Sequence, residues 1–235
     1  PLPHTHTLRW RPAACLCAYM DDADKKVLSY HDVLLRRGDV DLLRGPHWLN
    51  DQIIAFYFEY LGRECVSRDP PVAFIPPSMT FLLANCGQDG ASQLIDSLQL
   101  GGKQVVVFAV NNNPDAACAG GGSHWSTLAL FTRSRSFVHL DSSAGTNAGP
   151  ARQLHAVLSG QFGGRRLEEG QLPQQENSYD CGVFVIAVAD AIAQLADGTR
   201  SDIDIKEGIP AHVDNGVKEK RGEVLQLIED RRGSA

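Results

Sequence analysis

A polar, turn-forming segment at residues 175–180 runs directly into an apolar segment without glycine or proline at residues 183–195. This change of pattern predicts a buried helix that begins near Cys181. Asp180 occupies the expected N-cap position, from which a side chain can accept a backbone hydrogen bond. The thiol of Cys181 would therefore lie at a helix N-terminus, where free N–H groups and the helix dipole stabilise a thiolate.

Apolar runs of strand length predict a sheet in the middle of the chain. Residues 103–111 form a continuous apolar run with polar ends, which is typical of a buried central strand. Residues 123–131 and 136–141 are two β-rich runs joined by a short polar link, and this spacing predicts an antiparallel hairpin. Residues 165–169 predict one more strand.

Helical periodicity surrounds the predicted strands. Apolar residues recur at helical spacing over residues 53–61, which predicts a core helix capped by Asn50 and ended by Gly62. Residues 30–43 predict a short helix and a turn, and a polar stretch with glycine and proline intervenes after Gln194. Further helices are predicted at residues 77–83, 92–100, 154–162 and 217–230. Together these elements predict an α+β fold with a central mixed β-sheet and helices on both sides.

Length, charge and cysteine content limit the class of protein. The chain has 235 residues, 43% of them hydrophobic, and we expect a single domain over residues 27–235 after an N-terminal extension of unknown role at residues 1–26. The net charge of −6 argues against nucleic-acid binding through phosphate neutralisation. Six irregularly spaced cysteines indicate reduced thiols and a location in the cytoplasm or nucleus, and no membrane segment or secretory signal is expected. Four potential zinc ligands lack the closed spacing of a structural site, so no metal is expected: His4, His6, Cys15 and Cys17.

Three further polar residues could complete a cysteine protease site with Cys181. Such a site needs a base, a group that orients the base, and donors for the oxyanion. The hairpin would bring His124, at the start of its first strand, beside Asp141, at the end of its second. Gln175 precedes the thiol in the same turn, so its amide can serve with the backbone N–H of Cys181 as an oxyanion donor. The simplest alternative is that Cys181 is a buried packing residue, since free cysteines are often buried.

The expected proton transfers assign a role to each ring nitrogen of His124. We expect Nε2 to take the proton from Cys181, while Asp141 binds Nδ1 and stabilises the imidazolium. Two other histidines are rival bases. His139 lies in the second hairpin strand without an oriented acid, and His155 lies in a predicted helix, so both are predicted to be structural.

The polar motifs resemble those of a known protease family. His124-Trp125, Asp141-Ser142 and the segment from Gln175 to Gly182 are similar to the catalytic signature of the ubiquitin-like-protein-specific cysteine proteases, relatives of the adenovirus protease. The order His, Asp, Gln, Cys is that family's order and the reverse of the papain order. Within the family, the deneddylase branch, which acts on the Nedd (Rub) modifier, is most similar, from about residue 27 to residue 223. The matching segments are Leu28-Ser29-Tyr30, Asp39-Val40, Leu42-Leu43, Trp48-Leu49-Asn50-Asp51, Ile53-Ile54, Phe58-Glu59-Tyr60, His124-Trp125-Ser126 and Gln175 through Gly182.

The resemblance implies a papain-like cysteine protease fold and a thiol isopeptidase activity. Its catalytic residues would be His124, Asp141, Gln175 and Cys181, and no cofactor is implied. The enzyme would cleave after the C-terminal Gly-Gly of a ubiquitin-like modifier, with Nedd/Rub as the expected modifier, in both precursor processing and deneddylation. Its partners would be Nedd/Rub and protein conjugates such as neddylated cullins, and a monomer is expected.

The resemblance also implies how the substrate tail is bound. Trp48 and Trp125 would form the walls of a narrow tunnel that admits only residues without a Cβ, and Asp51 would contact the modifier. The glycine-rich loop before His124 would close over the tail. Residues 218–223 resemble the C-terminal part of the branch, although a solvated helix face is the simplest interpretation.

Three alternatives remain open from the sequence. A SUMO-specific protease of the same fold would differ in the modifier surface that it recognises. An acyltransferase would use the same thioester chemistry, although the two tryptophans argue against it. A non-catalytic module that binds ubiquitin-like modifiers would need at least one broken catalytic position, and none of the four is broken here.

Overall fold

The structure, a computed structural model, describes residues 22–66, 72–100, 102–115, 121–163 and 166–233. Its strands are β1 (Lys26–Tyr30), β2 (Val33–Arg36), β3 (Val72–Ile75), β4 (Val105–Asn111), β5 (Trp125–Phe131), β6 (Ser136–Leu140) and β7 (Arg166–Glu169). Its α-helices span Arg37–Asp41, Asp51–Tyr60, Pro77–Asn85, Gly87–Ser97, Ala148–Phe162, Cys181–Leu195, Asp202–Gly216 and Lys220–Gly233. We call Cys181–Leu195 the cysteine helix and Lys220–Gly233 the C-terminal helix.

A mixed sheet of five strands lies at the centre of the fold, in the spatial order β3, β4, β5, β6, β7. The inner pairs β4–β5 and β5–β6 are antiparallel, whereas the outer pairs β3–β4 and β6–β7 are parallel. The hairpin predicted from residues 123–141 is therefore confirmed as β5 and β6. The apolar run at residues 103–111 becomes β4, and the last predicted strand becomes β7.

Two hydrophobic cores lie on opposite faces of the sheet, and β4 contributes to both. Val105 and Val107 pack into the core that contains the cysteine helix, whereas Val106 and Phe108 pack into the core that contains Ala148–Phe162. Successive residues of a strand point to opposite faces, so a strand covered on both sides is apolar at every position. This double covering explains why β4 is a continuous apolar run.

The cysteine helix is buried on nearly all sides, between β5 and the helix Asp202–Gly216. A helix in such a position needs no polar stripe, which accounts for its continuous apolar sequence. The predicted helix start at Cys181 is confirmed, and the helix packs against the sheet whose strand ends carry His124 and Asp141. The elements that the site depends on are thus joined through one core.

The prediction of a short helix and a turn at residues 30–43 is only partly confirmed. The short helix is Arg37–Asp41, but β1 and β2 form an unpredicted two-stranded hairpin before it, in which Tyr30 pairs with Val33. The residues that alternate inward on these strands belong to the core: Leu28, Tyr30, Val33 and Leu35. Burial of one face selects the strand here, because strand formation depends on packing more than on intrinsic preference.

The polar stretch before the C-terminal helix contains a helix, Asp202–Gly216, that was not predicted. Ser201 caps it, and Pro210 lies inside it. Proline removes a backbone hydrogen bond from a helix interior. Burial of an apolar stripe at helical spacing offsets this loss, and its residues are Ile205, Ile209 and Val213.

Several sequence-based expectations concern residues outside the described part of the chain. The N-terminal extension with His4, His6, Cys15 and Cys17 falls largely there, and its boundary with the domain stays a prediction. Among the described residues, no helix is long and apolar enough to cross a membrane. The same residues contain no group of three or more His, Cys, Asp or Glu side chains that could hold a metal ion.

Candidate active site

His124 and Asp141 meet at one end of the central sheet because the strands beside them are antiparallel. β5 starts directly after His124, and β6 ends directly before Asp141. Nε2 of His124 lies 2.6 Å from Oδ1 of Asp141, and both residues are only 5% exposed. The structure thus brings these two predicted residues together in a buried hydrogen bond.

The ring nitrogen that faces Asp141 is not the predicted one. We expected Asp141 at Nδ1 of His124, whereas the structure has it at Nε2. Since the two nitrogens point in different directions, Nδ1 is the one available to Cys181. Strand spacing determines which residues meet, but the side-chain rotamer decides which edge of the ring faces which partner.

Hydrogen-bond donors on three sides keep Asp141 charged. Its Oδ1 also accepts the backbone N–H of Ser143 at 2.9 Å, and its Oδ2 accepts that of Asn147 at 3.0 Å. Burial raises the pKa of this carboxyl, but the hydrogen bonds from His124, Asn147 and Ser143 outweigh burial and hold the pKa below its ordinary value. The carboxylate therefore stays ionised at neutral pH and orients the His124 ring.

The His124 ring is stabilised in its protonated form by two neighbours. Burial lowers its pKa, but hydrogen bonds to Asp141 and Cys181 and the charges of both groups outweigh burial and raise the pKa to about 9. The influence of Cys181 on this pKa indicates that its side chain lies near the ring. At neutral pH the site therefore holds an imidazolium near the sulfur of Cys181.

Cys181 is the first residue of the cysteine helix and is only 1% exposed. Gly182 lets this helix start approach the segment before Asp51–Tyr60, because a Cβ on Gly182 would lie 2.9 Å from the Cβ of Leu49. The burial of Cys181 agrees with a simple packing role. Its influence on the pKa of His124 distinguishes it from a packing residue.

Asp180 occupies the N-cap position but does not cap the helix, contrary to expectation. Its Oδ1 accepts instead from Nε and Nη2 of Arg221 at 2.9 and 2.8 Å, and its Oδ2 accepts from Nδ2 of Asn177 at 2.7 Å. The backbone of Asp180 has φ −91° and ψ 4°, whereas a capping residue is usually in the extended conformation. Asp180 therefore leaves the first N–H groups of the helix to other partners, as an oxyanion site requires.

Gln175 lies between the end of β6 and the turn that leads to the cysteine. Its backbone N–H donates to the carbonyl of Ser142 at 2.8 Å, and its Oε1 accepts from Oγ of Ser142 at 2.7 Å. Its Nε2 donates to the carbonyl of Asn177 at 2.5 Å. The hydrogen bond from Ser142 thus identifies the oxygen of the amide, and the NH2 group of Gln175 faces the turn before Cys181. One N–H of this group donates to Asn177, and the group has a second N–H.

The two tryptophans donate their indole N–H groups to backbone carbonyls in two separate stretches of the chain. Nε1 of Trp48 donates to the carbonyl of Ser178 at 2.6 Å, and Nε1 of Trp125 donates to the carbonyl of Leu49 at 3.0 Å. Trp48 is 50% exposed, which is unusual for so large an apolar side chain. The structure therefore binds the exposed indole to residues 175–180, which we call the cysteine turn, and the half-buried indole to Leu49. A tunnel between the two indoles stays a proposal.

Asp51 begins the helix Asp51–Tyr60 as an exposed residue, three positions after Trp48. Asn50 caps this helix as predicted, because its side chain accepts the N–H of Ile53 at 3.2 Å. The geometry gives Asp51 a position on the surface beside the tryptophan. Its contact with a modifier stays a prediction.

A buried asparagine behind His124 was not predicted. Asn147 is fully buried, and its Nδ2 lies 3.3 Å from the carbonyl of His124 and 3.1 Å from Oγ of Ser126. Its backbone N–H is one of the donors to Asp141. Asn147 therefore holds both members of the histidine–aspartate pair. The only signal in the sequence was an asparagine in the turn after Asp141. Polar residues are common in turns, so this signal was too weak to predict a role in the site.

The rival histidines are engaged elsewhere. His139 does have an acid partner, contrary to expectation, since its Nδ1 lies 2.7 Å from Oε2 of Glu169. Its Nε2 lies 2.9 Å from Oγ of Ser126, so both ring nitrogens are occupied away from the thiol. The ring of His155 packs edge-on against Phe137, and burial lowers its pKa. Both histidines therefore have structural surroundings, as expected.

Asparagine side chains hold the loop that precedes His124. Oδ1 of Asn112 accepts the backbone N–H groups of Ser123 and His124 at 2.7 and 3.0 Å. Gly122 has a φ of +85°, and a Cβ there would lie 2.0 Å from Oδ1 of Asn111. Residues 116–120 lie outside the described residues, so closure of this loop over a substrate stays a prediction.

Residues 218–223 are only in part the solvated face that we expected, because Lys218, Glu219, Gly222 and Glu223 are exposed whereas Lys220 and Arg221 are not. Lys220 is only 4% exposed, and its Nζ donates to Asp190 at 2.7 Å and to Glu223 at 2.6 Å. The side chain of Arg221 is 17% exposed and binds Asp180. The charges at this helix start are thus partners of the cysteine helix and of the turn before it, which periodicity could not indicate.

The sequence matches the Ulp1 protease family, C-terminal catalytic domain, over residues 47–219. It is 37% identical over 216 residues to NEDD8-specific protease 1 of Arabidopsis thaliana, covering 87% of this chain and 93% of that protein. It is also 37% identical over 214 residues to sentrin-specific protease 8 of Homo sapiens, covering 87% of this chain and 97% of the relative.

Solved structures share the fold at low sequence identity. A de-sumoylating protease matches with a TM-score of 0.66 at 16% identity, covering 89% of this chain and 92% of the other. The C-terminal Ulp1 protease domain, solved in complex with Smt3, the yeast ortholog of SUMO, matches with a TM-score of 0.61 at 15% identity, covering 94% and 100%. These neighbours support the fold alone.

A cysteine, a histidine and an aspartate that meet at the start of a buried helix define the site of a cysteine peptidase. From the family match and the two relatives, the chain belongs to the Ulp1 protease family. The predicted α+β fold, the enzyme class and the resemblance to the deneddylase branch are thereby confirmed.

Proposed function

We propose that this cysteine peptidase cleaves after the C-terminal Gly-Gly of a Nedd/Rub-type modifier. The observation that carries the proposal is the buried hydrogen bond between Asp141 and His124, together with Cys181, which acts on the His124 ring from the start of a buried helix. The choice of modifier is supported by a relative that is named a NEDD8-specific protease and is 37% identical to this chain.

The proton transfers of the proposed reaction use Nδ1 of His124. Transfer of the Cys181 proton to this nitrogen gives the imidazolium of the site at neutral pH, and Asp141 at Nε2 stabilises it. The thiolate attacks the carbonyl carbon of the modifier's terminal glycine, and the Nδ1 proton then passes to the leaving amine. A water molecule that gives its proton to Nδ1 attacks the thioester and releases the modifier, and Cys181 regains its thiol.

The oxyanion of each tetrahedral intermediate would be held by two donors. The first is the backbone N–H of Cys181 at the positive end of the cysteine helix. The second is the NH2 group of Gln175, whose orientation is supported by the bond from Ser142 to its Oε1. Preorganised donors cost no rearrangement as the charge develops, which is why they accelerate acyl transfer.

The modifier's tail would lie between the two indoles. Hydrogen bonds fix both indoles, that of Trp48 to the carbonyl of Ser178 and that of Trp125 to the carbonyl of Leu49. A passage bounded by indoles favours glycine, which has no Cβ, and keeps the tail extended. The half-exposed Trp48 and the exposed Asp51 are the proposed contacts with the modifier.

All of these groups act on the acyl side of the scissile bond. The leaving amine can therefore be a peptide nitrogen, as in precursor processing, or the ε-nitrogen of a lysine, as in deconjugation. We propose neddylated proteins such as cullins as the conjugates, a monomer as the working form, and the cytoplasm or nucleus as the location.

A SUMO-directed protease is the second candidate. It is favoured by the fold shared with a de-sumoylating protease and with the Ulp1 domain in complex with Smt3. At 15–16% identity these neighbours share only the fold, whereas the NEDD8-specific relative shares 37% of its residues. The Nedd/Rub modifier is therefore the preferred proposal.

Modifier probes with an electrophile in place of the terminal carboxylate test both candidates. We expect the wild-type protein to form a covalent adduct with a NEDD8 probe, and Cys181→Ala to form none. Cys65→Ala removes an exposed free cysteine and is the matched control, which should react like wild type. Faster reaction with a SUMO or ubiquitin probe would contradict the choice of modifier. A folded wild-type protein that forms no adduct with any probe would favour a non-catalytic module.

A further inference from the structure

Arg221 connects the C-terminal helix to two segments that border the cysteine. Its Nε and Nη2 lie 2.9 and 2.8 Å from Oδ1 of Asp180, the residue before the thiol. Its Nη2 also lies 2.7 Å from the carbonyl oxygen of His47, the residue before Trp48. Its Nη1 lies 2.8 Å from the carbonyl oxygen of Leu42. One guanidinium thus bridges three separate stretches of the chain.

A series of hydrogen bonds continues from Asp180 to the amide of Gln175. Oδ2 of Asp180 accepts from Nδ2 of Asn177 at 2.7 Å. Oδ1 of Asn177 accepts the backbone N–H groups of Tyr179 and Asp180 at 3.0 and 2.9 Å. The carbonyl of Asn177 accepts from Nε2 of Gln175 at 2.5 Å. The turn that Arg221 binds therefore has both proposed oxyanion donors at its ends.

The same turn is bound to the exposed tryptophan. Nε1 of Trp48 donates to the carbonyl of Ser178, and Nη2 of Arg221 also lies 3.3 Å from the carbonyl of Tyr179. The guanidinium and the indole thus join the segment His47-Trp48, which we call the Trp48 segment, to the cysteine turn at two points. A planar guanidinium with five N–H donors can bind a carboxylate and several carbonyls together, whereas an ammonium group acts as a single point charge.

We propose that Arg221 is a positioning residue for catalysis. It fixes the turn between the two oxyanion donors relative to the Trp48 segment. The inference rests on the proposed function, because it concerns the donors Gln175 and the N–H of Cys181. Loss of the guanidinium would leave the Asp180 carboxylate without its cation and the His47 carbonyl without this donor. A shift of about 1 Å in a catalytic group can cost roughly 10²-fold in rate.

Two rates measured on the full-length protein separate positioning from folding. Iodoacetamide alkylates a thiolate without forming an oxyanion, whereas hydrolysis of a NEDD8 C-terminal fluorogenic amide requires one. For Arg221→Gln we expect kcat to fall about 10- to 100-fold, while alkylation of Cys181, followed by mass spectrometry, stays within about twofold of wild type. The same pattern is expected for Gln175→Ala, which removes one donor directly.

Two further variants complete the test. Arg221→Lys keeps the charge but cannot bind the carboxylate and both carbonyls at once, so it should restore little of the lost kcat. Arg232→Gln changes an exposed arginine of the same helix and should alter neither rate.

The inference is overturned if Arg221→Gln keeps kcat within about twofold of wild type, or if kcat and alkylation fall in parallel. If Arg221→Gln does not fold, the same two rates for Arg221→Lys decide the question by the same criteria. A wild-type protein that does not cleave the NEDD8 amide overturns the proposed function together with this inference. If wild type cleaves the NEDD8 amide and Arg221→Gln cleaves it with the same kcat, only the inference about Arg221 is overturned.

Discussion

Replacing Asp141 by asparagine would introduce N–H donors into a site where every partner is already a donor. Oδ1 of Asp141 faces the His124 ring and the N–H of Ser143, and Oδ2 faces the N–H of Asn147. If the new amide oxygen takes the place of Oδ1, its NH2 group meets the N–H of Asn147. If the amide is flipped, its NH2 group meets the ring and Ser143. Neither orientation satisfies all three partners.

The cost of Asp141→Asn can be worked out from these contacts. A buried donor left unsatisfied costs about 1–3 kcal/mol, and the bonds that remain lose their charge assistance. We therefore expect the free energy of unfolding to fall by about 2–4 kcal/mol. For a chain of this size, each kcal/mol shifts the melting temperature by about 2–4 °C, so a decrease of about 5–15 °C is expected.

The same substitution should impair catalysis through His124. Burial is the largest influence on the pKa of this ring and lowers it, and without the Asp141 charge mainly Cys181 would oppose that effect. The pKa should therefore fall well below about 9, as an NMR titration of the ring would detect. With the imidazolium destabilised, kcat for the NEDD8 amide should fall by about 10²- to 10⁴-fold.

The matched control is Asp214→Asn, which makes the same chemical change at an exposed position of the helix Asp202–Gly216. It should shift the melting temperature by no more than about 2 °C, because exposed substitutions usually change stability by about 0.5 kcal/mol or less. The reasoning is refuted if Asp141→Asn has the same melting temperature as this control and keeps more than about a tenth of the wild-type kcat.

Two other changes test the packing and the charge of the site. Gly182→Ala should lower the free energy of unfolding by about 1–3 kcal/mol, because its Cβ would lie 2.9 Å from that of Leu49. The control is Gly222→Ala, where an added Cβ meets nothing within 4 Å, and it should leave the melting temperature unchanged or raise it. If both alanine variants lowered the melting temperature equally, the steric explanation would be contradicted. Folding raises the pKa of His124 from 6.5 to about 9, so the protonated ring stabilises the folded state. This stabilisation is complete below pH 6.5 and is lost as the pH rises through about 9. Urea unfolding of wild type and His124→Gln should differ more at about pH 6 than at about pH 10, and a difference that grows with pH would contradict this sign.

The elements around the site were predictable because each has a local pattern. A polar turn followed by an apolar run indicated the start of the cysteine helix at Cys181, and two β-rich runs with a short link indicated the hairpin of β5 and β6. An antiparallel hairpin places the start of one strand beside the end of the other, so His124 and Asp141 could be paired without coordinates.

The errors have a common cause in long-range packing. The helix with Pro210 contradicts local preference, and burial in the core selects it. Asp180 was expected to cap the helix that begins at the next residue, but its partner Arg221 lies 41 residues away in sequence. No periodicity in the chain indicates a contact over such a separation.

The amino-acid sequence by itself determined which side chains carry the chemistry and which secondary-structure ends present them, since helix starts and hairpins impose local geometric relations. Only the tertiary structure decided that Nε2 of His124 faces Asp141, that Asn147 supports both, and that Arg221 joins the cysteine turn to the Trp48 segment. Side-chain rotamers and the partners of buried charges depend on elements that are far apart in the chain and meet only when the core is packed.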